Sequence, residues 1–174
     1  DARYWDAAGG YFFAAEDTTD LLARAKSASD HATPSGNGLM IEVLARLFYL
    51  TGEDAYRLRA QSVLDAFAGE GERAALGQAT LLSGALLLDH ALEIIIVGAP
   101  DDPLRAELVA AAASADLPER VLTQLAPDAA LPSGHPASGK GLVKTRAAAY
   151  LCQEGTCSQP LTDPISLARE LARR

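Results

Sequence analysis

The chain has 174 residues, of which 49% are hydrophobic and 22% are charged, as is usual for a globular protein. It has 15 Lys and Arg residues and 23 Asp and Glu residues, so the net charge is -8. No cluster of basic residues is present in the sequence that would neutralise a run of phosphates. No apolar stretch approaches the ~20 residues that span a bilayer, and the N-terminal residues do not follow the pattern of a signal peptide. We therefore expect a cytoplasmic protein that binds neither nucleic acid nor a membrane.

Two polar, turn-rich segments precede the first long apolar run. The first contains Glu16 and Asp17, and the second runs from Asp30 to Asn37 as Asp-His-Ala-Thr-Pro-Ser-Gly-Asn. Loops on a rigid scaffold often carry binding and catalytic residues. Half of the ten aromatic residues also lie in the first 13 positions, and the first residue is Asp1. A sequence that begins in this way is expected to be part of a larger protein.

Three helices are predicted in the first half of the chain. Residues 37–51 follow Ser35 and Asn37, either of which can cap free N–H groups, and their apolar side chains occupy nearly every side. A helix of this kind is expected to be buried all round. Residues 53–68 have apolar positions at three- and four-residue steps and form a surface helix, whereas residues 74–91 are again apolar. This order predicts two layers of helical hairpins.

The hydrophobic period changes after His90. Residues 93–98 form a short β-branched run, as in a buried strand. Pro103 can open a helix over 103–115, and residues 120–124 read as a second strand, which a crossover helix would place parallel to the first.

The end of the chain continues this α/β pattern. Residues 126–141 form a loop rich in Pro, Gly and Ser, and residues 147–152 are a third strand. Asp163 caps a final helix that has Pro164 at its first position. The sequence thus predicts a mainly α fold, with helical hairpins over 1–92 and a short parallel-type α/β segment over 93–174.

Three motifs together resemble a known family. They are Gly9-Gly10-Tyr11-Phe12-Phe13 with Ala15-Glu16-Asp17, then residues 32–37, and then residues 149–164 with their two cysteines. In this order, with helices between the second and third, they are similar to the C-terminal part of the thioredoxin-domain-containing family that includes bacterial YyaL-like proteins and animal spermatogenesis-associated protein 20. The resemblance covers almost the whole chain.

The resemblance implies a larger architecture. In this family a thioredoxin-like domain precedes an (α/α) toroid of six helical hairpins, similar to those of sugar epimerases and glycosidases. The chain would hold the last hairpins and contribute one wall of a carbohydrate-type pocket. Its partners would be a sugar-like molecule and either the N-terminal part of the same protein or a second copy. The alternative is a non-catalytic binding or scaffold module coupled to a thioredoxin-like domain.

Three carboxylates are candidate catalytic residues: Glu16, Asp17 and Asp30. Glycoside chemistry needs two carboxyl groups at a defined separation, one protonated and one ionised. The structural alternative puts Glu16 and Asp17 in the first turn of a short helix that continues to Leu22, and uses Asp30 to fix a turn. Both interpretations are compatible with the sequence.

Four further residues are candidate ligand contacts: His31, Thr33, Ser35 and Asn37. Their hydroxyl, imidazole and amide groups can meet a ligand, but the same segment can turn the chain and cap the helix after it. The position of His31 is more commonly Gly in the family, so the resemblance does not imply a catalytic role for it. Capping and ligand contact are compatible with each other.

Cys152 and Cys157 are candidate redox residues. Four residues separate them, rather than the two of a thioredoxin-like pair, and no second pair of ligands completes a zinc site. If residues 153–156 form a hairpin turn, the two sulfur atoms meet as a structural pair of thiols or a reversible disulfide. No metal is predicted. No cofactor is predicted either, because residues 134–141 only approach a P-loop and end in Gly141 instead of Ser or Thr.

Overall fold

The computed structural model describes residues 3–70, 77–132 and 134–174. Its contacts divide the chain into two compact units. The first comprises Asp1–Phe48 and Glu53–Asp89, and the second comprises Tyr49–Gly52 and His90–Arg174. The sequence predicted a boundary after residue 92.

The first unit is helical. Helix α1 spans Gly36–Thr51, α2 spans Asp54–Phe67 and is followed by a single 3-10 turn, and α3 spans Ala79–His90. The three predicted helices are therefore confirmed. The expected start of the third, residues 74–76, lies outside the described residues.

Helices α1 and α3 are buried on one side only, which corrects the prediction that residues 37–51 and residues 74–91 are both buried-type helices. Ile41 and Leu44 of α1 are buried, but Leu39 and Val43 are 43% and 47% exposed. On α3 the exposed pair is Leu82 and Leu86. An apolar face becomes buried only where another element covers it, and the neighbours of α1 in this unit cover one side. Helix α2 is amphipathic as predicted.

Two glycines allow α1 and α3 to approach closely. A Cβ atom on Gly38 of α1 would lie 2.7 Å from the backbone nitrogen of Leu81. A Cβ atom on Gly84 of α3 would lie 2.9 Å from the side chain of Ile41. Only glycine at these positions leaves room for the opposite helix.

The second unit is a four-stranded mixed sheet with two helices. Its strands are β1 (Leu92–Val97), β2 (Arg120–Leu125), β3 (Ala148–Gln153) and β4 (Thr156–Cys157), in the order β2-β1-β3-β4. Its helices are α4 (Pro103–Ala113) and α5 (Pro164–Leu171). Asp102 and Asp163 cap these helices by accepting hydrogen bonds from Leu104 and Ser166.

The expected parallel pairing is confirmed for β1 and β2, whereas the sequence predicted a third strand without assigning its partner. Strands β1 and β2 are parallel, and α4 connects them, as predicted. Strand β3 pairs antiparallel with β1, so the sheet is mixed rather than of parallel type. The long loop between β2 and β3 returns the chain to the sheet without a crossover helix, which permits the antiparallel direction. The chain as a whole is therefore mixed α/β rather than mainly α, and the toroid stays a prediction.

The sheet has two covered faces. Ile94 and Ile96 of β1 pack with Leu108 of α4 and Leu167 of α5. On the other face, Ile95 and Val97 pack with residues of the loop between β2 and β3, including Ala137. Strand β1 is therefore almost completely buried, as its β-branched sequence predicts.

His135 and Tyr150 hold this loop. The Nδ1 atom of His135 accepts the N–H of Ala137 at 2.9 Å, its Nε2 atom lies 2.9 Å from the carbonyl oxygen of Leu50, and the Tyr150 hydroxyl donates to the carbonyl oxygen of Gly141 at 2.8 Å. His135 is buried with both nitrogens bonded, so its role is structural.

Within the described residues, no helix has both the length and the apolar character needed to cross a membrane.

The glycine contacts predict the effect of a single methyl group. Gly38→Ala would press a Cβ atom against the backbone of α3, which cannot move as a side chain can, and we expect the free energy of unfolding to fall by about 1–3 kcal/mol. The fluorescence of Trp5, the single Trp of the chain, reports on the first unit during urea unfolding. Gly36→Ala is the control, because no described atom outside its chain neighbours and the nearby backbone of its own helix lies within 4 Å of the Cβ position. Equal stability of the two variants would contradict the close packing of α1 on α3.

Candidate functional site

The first unit contains an apolar groove of about 500 Å³. This volume is within the usual range for small-molecule sites. The groove lies between the aromatic segment at residues 4–13, helix α1 and one residue of α2. Its lining residues are Tyr4, Tyr11, Phe12, Phe13, Gly36, Asn37, Met40, Val43, Leu44, Leu47 and Tyr56. Every described residue that lines the groove is uncharged.

A tight turn at Gly9-Gly10 shapes the aromatic segment. Both glycines have positive φ angles, which side chains larger than hydrogen rarely adopt. A Cβ atom on Gly9 would also lie 2.3 Å from the carbonyl oxygen of Ser62 on α2. The turn brings Trp5 opposite Tyr11, with their rings edge to face at 5.0 Å.

The side chain of Asn37 fixes this segment to α1. Its Oδ1 atom accepts the N–H of Tyr11 at 2.7 Å, and its Nδ2 group donates to the carbonyl oxygens of Tyr11 and Ser27 at 3.0 and 2.9 Å. Asn37 is 1% exposed, so these bonds satisfy backbone groups that water does not reach. Asn37 thus lies at the groove, as predicted for a ligand contact, with both donor hydrogens already used.

Tyr11 carries an unsatisfied polar atom. The residue is 8% exposed, and its hydroxyl oxygen is buried with no hydrogen-bond partner among the described residues. Buried hydroxyl groups in folded proteins nearly always have a partner. Tyr11 also lines the groove, so this site includes a buried polar group whose hydrogen-bonding capacity is unused among the described residues.

Asp30 connects the starts of two helices. Its Oδ1 atom accepts the N–H of Ser35, immediately before α1, and its Oδ2 atom accepts the N–H of Thr80, the second residue of α3, both at 2.8 Å. These two bonds, that from Thr80 first, hold the pKa of Asp30 below its usual range. Asp30 is thus ionised at neutral pH with both oxygens bonded to backbone, and it is absent from the groove lining.

Glu16 and Asp17 lie at the surface. Asp17 forms an ion pair with Arg3, which lowers the pKa of the Asp17 carboxyl group, and Glu16 is exposed. The expected short helix from Glu16 to Leu22 is not formed: the backbone there has a turn at residues 16–17, bends at residues 20 and 22, and no regular structure between them. Neither carboxylate lines the groove with the aromatic residues. The catalytic assignment of the three carboxylates stays a prediction.

The polar residues of the second segment have different environments. Ser35 is buried and caps α1, with its Oγ atom accepting the N–H of Gly38 at 3.0 Å. His31 and Thr33 are exposed, and the N–H of His31 donates to the carbonyl oxygen of Thr33 at 3.1 Å. Of the four predicted ligand contacts, Asn37 alone is among the described residues that line the groove.

The aromatic lining was not assigned a role from sequence. The concentration of aromatic residues before position 14 was the available signal, but spacing alone does not reveal which ring faces which cavity. Arg24 and Lys26 reinforce the segment: the Arg24 guanidinium lies 4.1 Å from the Phe12 ring centroid, and Lys26 donates to Asp6 at 2.7 Å. Neither cation lies in a sequence motif that would indicate this role.

Cys152 and Cys157 form a disulfide in the second unit. They lie opposite each other on β3 and β4, joined by a turn at residues 154–155, so the expected hairpin is present. Of the two interpretations left open by the sequence, the structure has the disulfide rather than the pair of thiols. Among the described residues, no group of three or more His, Cys, Asp or Glu side chains is arranged to hold a metal ion.

The geometry of Asp30 predicts a loss of stability that depends on pH. Asp30→Asn replaces one acceptor oxygen by an NH2 group, so we expect a lower thermal midpoint at pH 7. The native carboxylate stabilises the fold above the unfolded pKa of Asp, and this contribution is lost as the pH falls through the lower folded pKa. The midpoint difference should therefore shrink in acid. Asp20→Asn, at an exposed carboxylate, is the control, and equal midpoints for both variants at pH 7 would contradict the bridging role.

No family model matches the chain. Curated relatives named Spermatogenesis-associated protein 20 do match it. The protein of Rattus norvegicus is 30% identical over 184 aligned residues, which cover 98% of this chain and 22% of the relative. The proteins of Mus musculus and Homo sapiens are 29% and 28% identical over the same shares. The chain thus spans about a fifth of the length of the curated relatives it matches.

The similarity extends over nearly the whole chain, through both units and the segments that carry the aromatic groove and the disulfide. Over nearly its whole length the chain is therefore homologous to a part of spermatogenesis-associated protein 20.

Proposed function

We propose that this chain supplies the aromatic wall of a pocket for an uncharged, carbohydrate-type ligand. The observation that carries the proposal is the groove of the first unit, whose described lining has no charge and includes five aromatic rings. These are Tyr4, Tyr11, Phe12, Phe13 and Tyr56. An uncharged lining disfavours anionic and cationic ligands, because a charge leaving water needs a compensating partner.

The chemistry of a sugar fits this groove. A sugar ring has an apolar C–H face that packs on aromatic rings and hydroxyl groups that need hydrogen bonds. Phe13 is 65% exposed, so its ring has free surface, and the Tyr11 hydroxyl lacks a partner among the described residues. Small-molecule sites commonly combine an apolar lining with a few polar groups in this way.

The proposed role of this wall is binding rather than acid–base chemistry. Glycosidases require two carboxyl groups that flank the scissile bond. The oxygens of Asp30 are bonded to backbone, and Asp17 pairs with Arg3. In a six-hairpin toroid of the kind that we propose for this family, further hairpins would supply the opposite wall and any pair of catalytic carboxylates.

Binding measurements on protein carrying this sequence test the proposal. We expect neutral mono- and disaccharides to change the fluorescence of Trp5, which packs on Tyr11. Loss of one hydrogen bond in Tyr11→Phe should weaken binding about three- to tenfold, and loss of the ring in Phe13→Ala should weaken it by a similar factor.

Leu22→Ala is the matched control, because Leu22 is exposed in the same unit and is not part of the groove lining. Its affinity should equal that of the unaltered protein. Absence of saturable binding to any neutral sugar, or equal affinities for all three variants, would contradict the proposed wall.

Exposed apolar side chains of the first unit support a second candidate function, that of a scaffold module. Leu39 and Val43 on α1, and Leu82 and Leu86 on α3, form two exposed pairs at four-residue spacing. Such apolar surface usually meets a partner. We propose further helices of a family-length protein as that partner, because the relatives contain several times more sequence than this chain covers.

Light scattering tests this scaffold function. The 174-residue chain alone should self-associate through its uncovered leucines, and Leu82→Gln combined with Leu86→Gln should shift it towards the monomer. Ile165→Gln, at an exposed apolar residue of α5, is the control and should leave the association unchanged. A monodisperse monomer for the unaltered chain would contradict the proposal.

A further inference from the structure

Three side chains with thiol–disulfide and acid–base chemistry form one row across the sheet of the second unit. Glu93 on β1 is directly opposite Cys152 on β3, and Cys152 is directly opposite Cys157 on β4. Residues that are directly opposite on antiparallel strands point to the same face, with their β-carbon atoms about 4.5–5.5 Å apart. A carboxyl group therefore lies beside the buried end of the disulfide.

We infer that Glu93 and the Cys152–Cys157 pair form a thiol–disulfide exchange site. In this site Glu93 gives a proton to the sulfur atom of Cys152 when the bond opens and takes the proton back when the bond closes. The partner is a dithiol reductant. This inference is independent of the groove in the first unit.

Exposure assigns different roles to the two sulfur atoms. Cys152 is 2% exposed, whereas Cys157 is half-buried on β4, the edge strand. A thiolate of the dithiol therefore attacks the Sγ atom of Cys157. The bond between the two cysteines breaks, its electron pair moves to the Sγ atom of Cys152, and the resulting thiolate takes the proton of Glu93. Without that proton an anion would be left in an apolar environment, which is costly.

The second half of the exchange completes the electron balance. The other thiolate of the dithiol attacks the dithiol sulfur that is bonded to Cys157, and Cys157 leaves as a thiolate and takes a proton from water. The dithiol has then lost two electrons and become a cyclic disulfide, while the cysteine pair has gained two electrons and two protons. Glu93 regains its proton from water. Closing the pair reverses these steps with an oxidised partner.

The surroundings of Glu93 suit a proton carrier near neutral pH. Burial raises the pKa of its carboxyl group to about 7, and the positive charge of Lys140 opposes this rise. The register neighbour on β2 is Val121, which is not ionisable. The described titratable residues of the elements packed on this face include Tyr150 on β3, whose ring lies 5.7 Å from the Lys140 ammonium group, His135, which is buried in the same loop as Lys140, and the two cysteines.

The rate of reduction by dithiothreitol tests the inference. The rate is divided by the concentration of dithiothreitol thiolate, so that ionisation of the reductant does not enter. For the unaltered chain this normalised rate should fall at least about tenfold as the pH rises from 6 to 8.5, because Glu93 loses its proton. Counting free thiols before and after reduction follows the reaction and verifies that two thiols are released.

Three variants make the test specific to Glu93. Glu93→Gln should react at least about tenfold more slowly at pH 6 and lose the pH dependence. Glu154→Gln removes an exposed carboxylate in the turn beside Cys152, and its profile should match that of the unaltered chain. Lys140→Gln should move the inflection to higher pH, because a positive charge that lowers the pKa of Glu93 is lost.

Several results would overturn the inference. One is a profile of Glu93→Gln that superimposes on that of the unaltered chain. Another is a pH profile of Lys140→Gln whose inflection lies at the same pH as that of the unaltered chain. This second comparison tests the inference even if Glu93→Gln does not fold. A third is a chain that keeps two free thiols under oxidising conditions.

Discussion

The first unit depends on one carboxylate that accepts hydrogen bonds from backbone N–H groups at the starts of two helices. The first N–H groups of a helix have no partner within the helix. Asp30 accepts hydrogen bonds from Ser35, just before α1, and from Thr80 in the first turn of α3, although 50 residues separate Asp30 from Thr80. Its negative charge also lies at the positive ends of both helix dipoles. The starts of the two helices are thereby held side by side, where Gly38 permits close contact.

The groove follows from this arrangement. Once α1 is fixed, the Asn37 carboxamide holds the backbone of Tyr11, and the turn at Gly9-Gly10 returns the aromatic segment along the helix. The polar residues of this region satisfy backbone groups, and the aromatic residues provide the surface that a ligand would contact. Among the described residues of this region, the Tyr11 hydroxyl is the buried side-chain group that has no hydrogen-bond partner.

Local sequence signals predicted the elements well and the sites less well. Ser35 and Asp163 cap helices as expected, because capping involves residues two or three positions apart. The β-branched run of β1 is buried as expected. The partners of Asp30 and Glu93 are distant in sequence, so no local pattern marked their roles. The exposure of Leu39 and Val43 depended in the same way on which elements cover α1.

The helices, the buried central strand, the cysteine hairpin and the resemblance to spermatogenesis-associated protein 20 could all be read from the amino-acid sequence, because each depends on composition, short spacing or order along the chain. The tertiary structure alone decided that Asp30 joins two helix starts, that β3 runs antiparallel to β1, and that Glu93 lies opposite Cys152. Strand direction and register place residues from distant positions in one row, and hydrogen bonds between distant segments fix which polar groups remain available. Strand register and long-range hydrogen bonds therefore determine which side chains in each unit can take part in binding or exchange.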